Sequence, residues 1–130
     1  MPAGVTLLIN SKSGSNINDW SILIGCHSDD LSGCDEFKRW PCVIVQKQLL
    51  FDFNLLSSPF GGLIYLVSPE NGGEINIVLS NIVESPYFDL LRPETRNDWN
   101  RRKDADGIWA ELAGRHIIFS TVSTLFLVYL

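Results

Sequence analysis

Charge and sulfur are both scarce in this sequence. Ten basic residues stand against fifteen acidic ones among 130, a net charge of −5. Binding along a phosphate backbone needs a dense basic face, so the balance argues against nucleic acid as a partner. Residues 1–65 carry four basic and six acidic side chains, residues 66–130 six and nine, so neither half is a basic arm. Three cysteines cannot close a full disulfide set, and no Asn-x-Ser/Thr sequon occurs. Both absences fit a reducing, cytosolic setting better than secretion. Long apolar runs are missing too. Ile117–Leu130 is fourteen residues long with several hydroxyls, whereas a membrane-spanning helix needs about 20 apolar residues. Ser11 and Lys12 interrupt the apolar stretch Val5–Ile9, which leaves no secretory signal.

What is present is apolar: 45% of the chain is hydrophobic. That excludes disorder and supports one domain with a real core. The pattern reads mostly as strands. Gly4–Asn10 is a short apolar run closed by the polar loop Ser11–Asp19. Trp20–His27 alternates, with Trp20, Ile22, Ile24 and Cys26 on one face. Val43–Phe53 reads as a half-buried strand with Val43, Val45, Leu49, Phe51 and Phe53 inward, and Lys47 marks an edge or bulge. Gly62–Val67 is apolar on both faces and reads as a central strand. Pro69–Gly73 is a turn, Glu74–Ser80 points Ile75, Ile77 and Leu79 inward, and Asn81–Tyr87 extends the sheet.

Helix is sparse in the same reading. Leu31 and Asp35 give a weak start signal for one turn over Cys34–Arg39. Thr95 followed by Asp98 suggests a cap opening a helix through Lys103, with Trp99 as its apolar anchor and Arg101, Arg102 and Lys103 favouring the dipole. Arg115–Thr121 returns to strand. The expected fold class is all-β, a jelly-roll-like β-sandwich with one or two short helices.

Candidate chemistry is thin. Cys26, Cys34 and Cys42 recur every eight residues beside His27, but the short two-cysteine knuckle of a zinc site is missing. Buried core thiols are the expected state. Asp29, Asp30, Asp35 and Glu36 could offer oxygens to calcium, yet the spacing is not that of an EF-hand, and such runs are usually solvated loops. Paired carboxylates for glycosidase chemistry are not singled out by any spacing. Gly61-Gly62 enters an apolar strand instead of a helix, so it suits close packing better than phosphate binding. No nucleophile elbow and no His-Glu-x-x-His motif occurs. No catalytic, cofactor-binding or metal residue is therefore assigned.

Several ordered segments do resemble one family. They are Ile24-Gly25-Cys26-His27-Ser28-Asp29-Asp30-Leu31, Arg39-Trp40-Pro41-Cys42-Val43 and Ser58-Pro59-Phe60-Gly61-Gly62-Leu63-Ile64-Tyr65-Leu66-Val67. Glu84-Ser85-Pro86-Tyr87-Phe88-Asp89-Leu90, Asp98-Trp99, Ile108-Trp109-Ala110-Glu111-Leu112 and Ile117-Ile118-Phe119 follow. Together these resemble the TRP-channel-associated factors, related to the enhancin-like metallopeptidases (peptidase family M-sixty), from about Gly4 to Val122. The resemblance implies the β-rich portion that precedes the zinc helix of those peptidases. It also implies a non-catalytic chain, since that helix's motif is absent. It further implies contact with a TRP-melastatin-type ion channel, influence on its trafficking or gating, and a cytoplasmic location peripheral to the plasma membrane.

On this reading residues 1–122 form the β-sandwich portion of a longer protein, truncated before the zinc motif. Residues 123–130 are a divergent tail whose β-branched and aromatic content favours an extended strand. Trp40, Trp99 and Trp109 are the candidate interaction residues, because aromatics dominate interface hot spots, although core packing is the expected state of each. The rival reading is a carbohydrate-binding module accessory to a zinc mucin-type metallopeptidase, which needs a glycan site with tryptophan facing solvent.

Overall fold

A computed structural model describes residues 1–12, 17–25, 30–50 and 52–126. The chain is all-β, with nine short strands and three helical turns among the described residues. It divides into two compact units, Met1–Ile82 and Val83–Leu130.

The first unit holds two three-stranded sheets. In one, β1 (Thr6–Ser11) lies between β4 (Phe53–Ser57) and β6 (Ile77–Ser80), antiparallel to both. In the other, β2 (Ser21–Ile24) lies between β3 (Val45–Gln48) and β5 (Ile64–Val67), again antiparallel. The two central strands supply the core. Leu7 and Ile9 from β1 and Ile22 and Ile24 from β2 are fully buried and belong to one apolar cluster with Trp20, Leu49 and Leu56. Strand alternation places these residues on inward faces, and burying each side chain stabilises the fold by about 1.5–3 kcal/mol. Ile75, Ile77 and Leu79 pack against this cluster, as their alternation predicts. Lys47 does lie on an edge strand, where its ammonium donates to the Leu55 carbonyl at 3.1 Å.

Several expectations are corrected. Val43–Phe53 is not one strand: β3 ends at Gln48 and β4 begins at Phe53. The interruption shifts the alternation by one, so Asn54 and Leu56 point inward and Phe53 is exposed. Phe51 lies outside the described residues. Gly62–Val67 does not supply a central strand, because β5 pairs with β2 alone. Its apolar pattern predicts two buried faces, but Leu66 and Val67 are exposed. Asn81–Tyr87 does not extend the sheet; Asn81 takes a left-handed φ of 65° and turns the chain away. Residues 34–39 form bends and irregular backbone with no helix.

The second unit has one mixed sheet in which β8 (Trp109–Ala113) is central, parallel to β7 (Tyr87–Asp89) and antiparallel to β9 (Ile118–Val122). β8 was not anticipated from the sequence, since Glu111 interrupts its apolar pattern. The predicted helix is two short pieces, α1 (Pro93–Asn97) and α2 (Trp99–Arg102). Its start is Pro93 after Arg92, not a Thr95 cap, because proline at the first helical position needs no N–H partner. The tail is not extended where it is described: Ser123–Phe126 forms one helical turn, α3. Ser123 N–H makes a last ladder bond to the Ile108 carbonyl, while Gly107 N–H is already tied to the Glu84 carbonyl. Among the described residues no strand partners the chain beyond that point, so β-propensity has nothing to act on. Residues 127–130 lie outside the described residues.

Candidate functional site

The first unit carries an exposed aromatic pair on two loops. The first loop, Leu31–Pro41, is closed at its neck by the Leu31 N–H donating to the Pro41 carbonyl at 3.1 Å. Inside it, Cys34 N–H donates to the Leu31 carbonyl at 2.9 Å, and the Arg39 guanidinium holds the Trp40 carbonyl at 2.9 Å and the Pro41 carbonyl at 3.3 Å. Asp30 accepts from the Ser32 hydroxyl at 2.6 Å and from its backbone N–H at 2.8 Å. The Ser32 hydroxyl bond, the Ser32 N–H bond and the charge of Arg39 hold the Asp30 carboxyl below its ordinary value. A loop closed at its ends and tied internally presents its side chains in a restricted geometry.

The second loop, residues 58–62, is fixed by backbone contacts. The Ser58 carbonyl accepts from Gly4 and Gly61 N–H groups, and Phe60 N–H donates to the Ser58 hydroxyl at 3.3 Å. Gly61 has a φ of 65°, and a Cβ there would lie 2.6 Å from the Met1 carbonyl oxygen. The Met1 amino group donates to the Gly62 carbonyl at 2.7 Å, and Gly62 N–H returns a bond to the Met1 carbonyl at 3.0 Å. Close backbone approach accounts for the Gly-Gly pair, as the sequence suggested.

These two loops bring Trp40 and Phe60 together, with ring centroids 6.4 Å apart and planes at 42°. Trp40 is 67% exposed and Phe60 42%. Core packing is thus overturned for Trp40, which sits on a surface loop and outside any strand. Phe37 is also exposed on the same loop and lines an open depression with Asp35, Glu36 and Lys38. Phe60 and Phe37 were not singled out from the sequence; an aromatic inside a Ser/Pro/Gly segment was the available signal for Phe60. The other two candidates lie in the second unit. Trp99 is half-buried and meets Phe88 edge-on at 5.3 Å, and Trp109 is half-buried on β8.

Cys34 and Cys42 are exposed, which corrects the expectation of buried thiols, because both fall in the polar connection between β2 and β3. Cys26, His27 and Asp29 lie outside the described residues. Among the described residues no three His, Cys, Asp or Glu side chains converge as a metal site. No described helix is long and apolar enough to cross a membrane. The arrangement offers an aromatic contact surface beside mixed charges.

Comparison with known proteins gives this surface its context. Residues 1–80 match the N-terminal domain of M60-like peptidases. The chain is 34% identical over 105 residues, 78% of its length, to TRPM8 channel-associated factor 1 of Homo sapiens, covering 11% of that protein. It is 29% identical over 123 residues to TRPM8 channel-associated factor 3 of Rattus norvegicus, covering 92% of this chain and 13% of that one. TRPM8 channel-associated factor 2 of Homo sapiens is 29% identical over 106 residues, 79% of this chain and 11% of its own. The chain therefore spans roughly a ninth to an eighth of the length of these relatives. No solved structure matches it. With more than half of its residues matched, the chain belongs to the family of the N-terminal domain of M60-like peptidases.

Proposed function

We propose that this chain is a non-catalytic β-module that binds a partner protein through the Trp40–Phe60 surface. The observation that carries the reading is the exposed, tilted aromatic pair held on two internally bonded loops. Exposed large aromatics in a restrained geometry give contact area at low entropy loss on binding, which is why they concentrate binding energy. Three relatives bear names that associate them with the TRPM8 channel, and on that basis the partner is a TRP-melastatin-type channel. Contact would take place at the cytoplasmic side of the plasma membrane and act on channel trafficking or gating. Co-precipitation of the chain with TRPM8 is the test. Wild type should bind, and Trp40→Ala should weaken binding by about tenfold or more. Absence of binding by the folded wild-type chain at micromolar concentration removes the proposal.

The glycan reading keeps one observation in its favour, since a solvent-facing tryptophan is what stacking on a sugar ring requires. A glycan array separates the two readings. Saturable binding that Trp40→Ala abolishes, with no channel co-precipitation, makes the module a carbohydrate binder.

A further inference from the structure

We propose that β9 is a dimerisation edge, pairing antiparallel with β9 of a second copy of this chain about a two-fold axis at Ser120. The argument starts from the ladder between β8 and β9. Gly114 N–H donates to the Ile117 carbonyl, and Ser123 N–H to the Ile108 carbonyl, both at 2.9 Å. Hydrogen-bonded and non-bonded pairs alternate along an antiparallel ladder. The register that runs from Trp109↔Val122 to Ala113↔Ile118 therefore makes Ala110/Thr121 and Leu112/Phe119 the bonded pairs. Phe119 and Thr121 turn their backbone groups toward β8. Ile118, Ser120 and Val122 turn theirs outward, at the end of the sheet order β7-β8-β9 among the described residues.

That outward row is self-complementary. A two-fold axis through Ser120 sets Ile118 opposite Val122 of the second copy, Ser120 opposite Ser120, and Val122 opposite Ile118. All three outward N–H and C=O sets are then paired, and the isologous contact closes at two copies. Side chains support the same register. Ile118 and Phe119 are each 62% exposed, one on each face of the strand. In the paired form Ile118 packs beside Val122, and Phe119 beside Thr121, of the second copy.

No charge opposes the pairing. The side chains of residues 117–130 include no ionisable acid or base apart from Tyr129. Glu111, which accepts from the Ser120 hydroxyl at 3.1 Å, lies one strand inward. In the dimer the two Glu111 residues are three strand spacings apart, about 14 Å, beyond the screening length at physiological salt.

Other described edges are less suited. The Leu55 carbonyl on the outer side of β4 is taken by the Lys47 ammonium, and β3 carries that lysine itself. β5 and β6 span only four residues each and β7 three. Edges that must stay single are commonly protected by lysine or proline, and β9 has neither.

Sedimentation velocity of the 130-residue chain over a range of concentrations tests the proposal. Wild type should show a reversible monomer–dimer equilibrium. Ser120→Pro deletes an outward N–H that β8 does not use, which an edge strand tolerates. It should weaken dimerisation by about tenfold or more, since the two-fold axis removes two bonds at once, and circular dichroism should be unchanged. Ser120→Ala, which loses only the hydroxyl, should dimerise like wild type. If Ser120→Pro does not fold, Ile118→Lys and amide exchange decide. Amides of Ile118, Ser120 and Val122 should gain protection with rising concentration, and those of Phe119 and Thr121 should not. A chain that stays monomeric, a dimer untouched by a folded Ser120→Pro, or assembly that continues past two copies overturns the inference.

Discussion

At the residue scale, Trp20 and Trp40 show how differently one residue type can be used. Trp20 is buried at the mouth of β2 among Ile17, Ile22 and Leu49, whereas Trp40 projects from a loop. Trp20→Ala should cost about 3–5 kcal/mol in urea unfolding, and Trp40→Ala should leave the midpoint almost unchanged. Gly61 is constrained twice over, by its left-handed φ and by the Met1 carbonyl that a Cβ would strike. Gly61→Ala is expected to destabilise by about 1–3 kcal/mol, visible in the same urea titration. Asp30 gives a pH signature. Its folded pKa is depressed below the ordinary 3.8, first by the Ser32 hydroxyl and N–H bonds and then by Arg39. A depressed acid stabilises the fold above its unfolded pKa, and the contribution disappears as pH falls through the folded value. The loop carrying Trp40 should therefore stay ordered down to pH values below 3.8 and loosen beneath that, as tracked by tryptophan fluorescence. Ser32→Ala should move that loosening upward in pH.

At the scale of elements, period-two patterning revealed β2 and β6 and a short apolar run marked β1, and their inward residues form or flank the core. It could not reveal the break between β3 and β4. Val45, Leu49 and Phe53 all fall at odd-numbered positions in the sequence, with Lys47 the exception, and only pairing in two different sheets forces the chain to change parity there. β8 was hidden for the opposite reason. Glu111 looks like a surface residue, yet it is half-buried and accepts from the Ser120 hydroxyl across the ladder. The tail can be tested as an element. Deleting Ser123–Leu130 removes one described ladder bond, from Ser123 to Ile108, and the α3 turn. A melting temperature within a few degrees of wild type is expected, consistent with residues 1–122 forming the β-rich portion by themselves. A large drop would place residues 123–130 in the fold.

For the whole molecule, the distribution of burial sets the order of local stability. The largest fully buried apolar side chains, Leu7, Ile9, Ile22, Ile24 and Leu49, all lie in Met1–Ile82. In Val83–Leu130 the buried residues among those described are small: Pro86, Gly107, Ala110 and Ala113. Amide exchange should accordingly be slowest in β1 and β2 and faster throughout β7 and β9, as mass spectrometry of peptides from each unit would show. The sequence by itself determined the all-β class, the apolar run of β1 and the core alternation of β2 and β6, and it marked Lys47 as an edge or a bulge. It also carried the family resemblance. Each of these rests on local chemistry, on side-chain period or on residues in order along the chain. Tertiary structure alone decided that Trp40 and Phe60 meet, that Cys34 and Cys42 face solvent, and that β9 ends its sheet among the described residues. Those outcomes depend on which strands pair and which loops close over one another. Such contacts join residues far apart in the chain, and no local pattern encodes them.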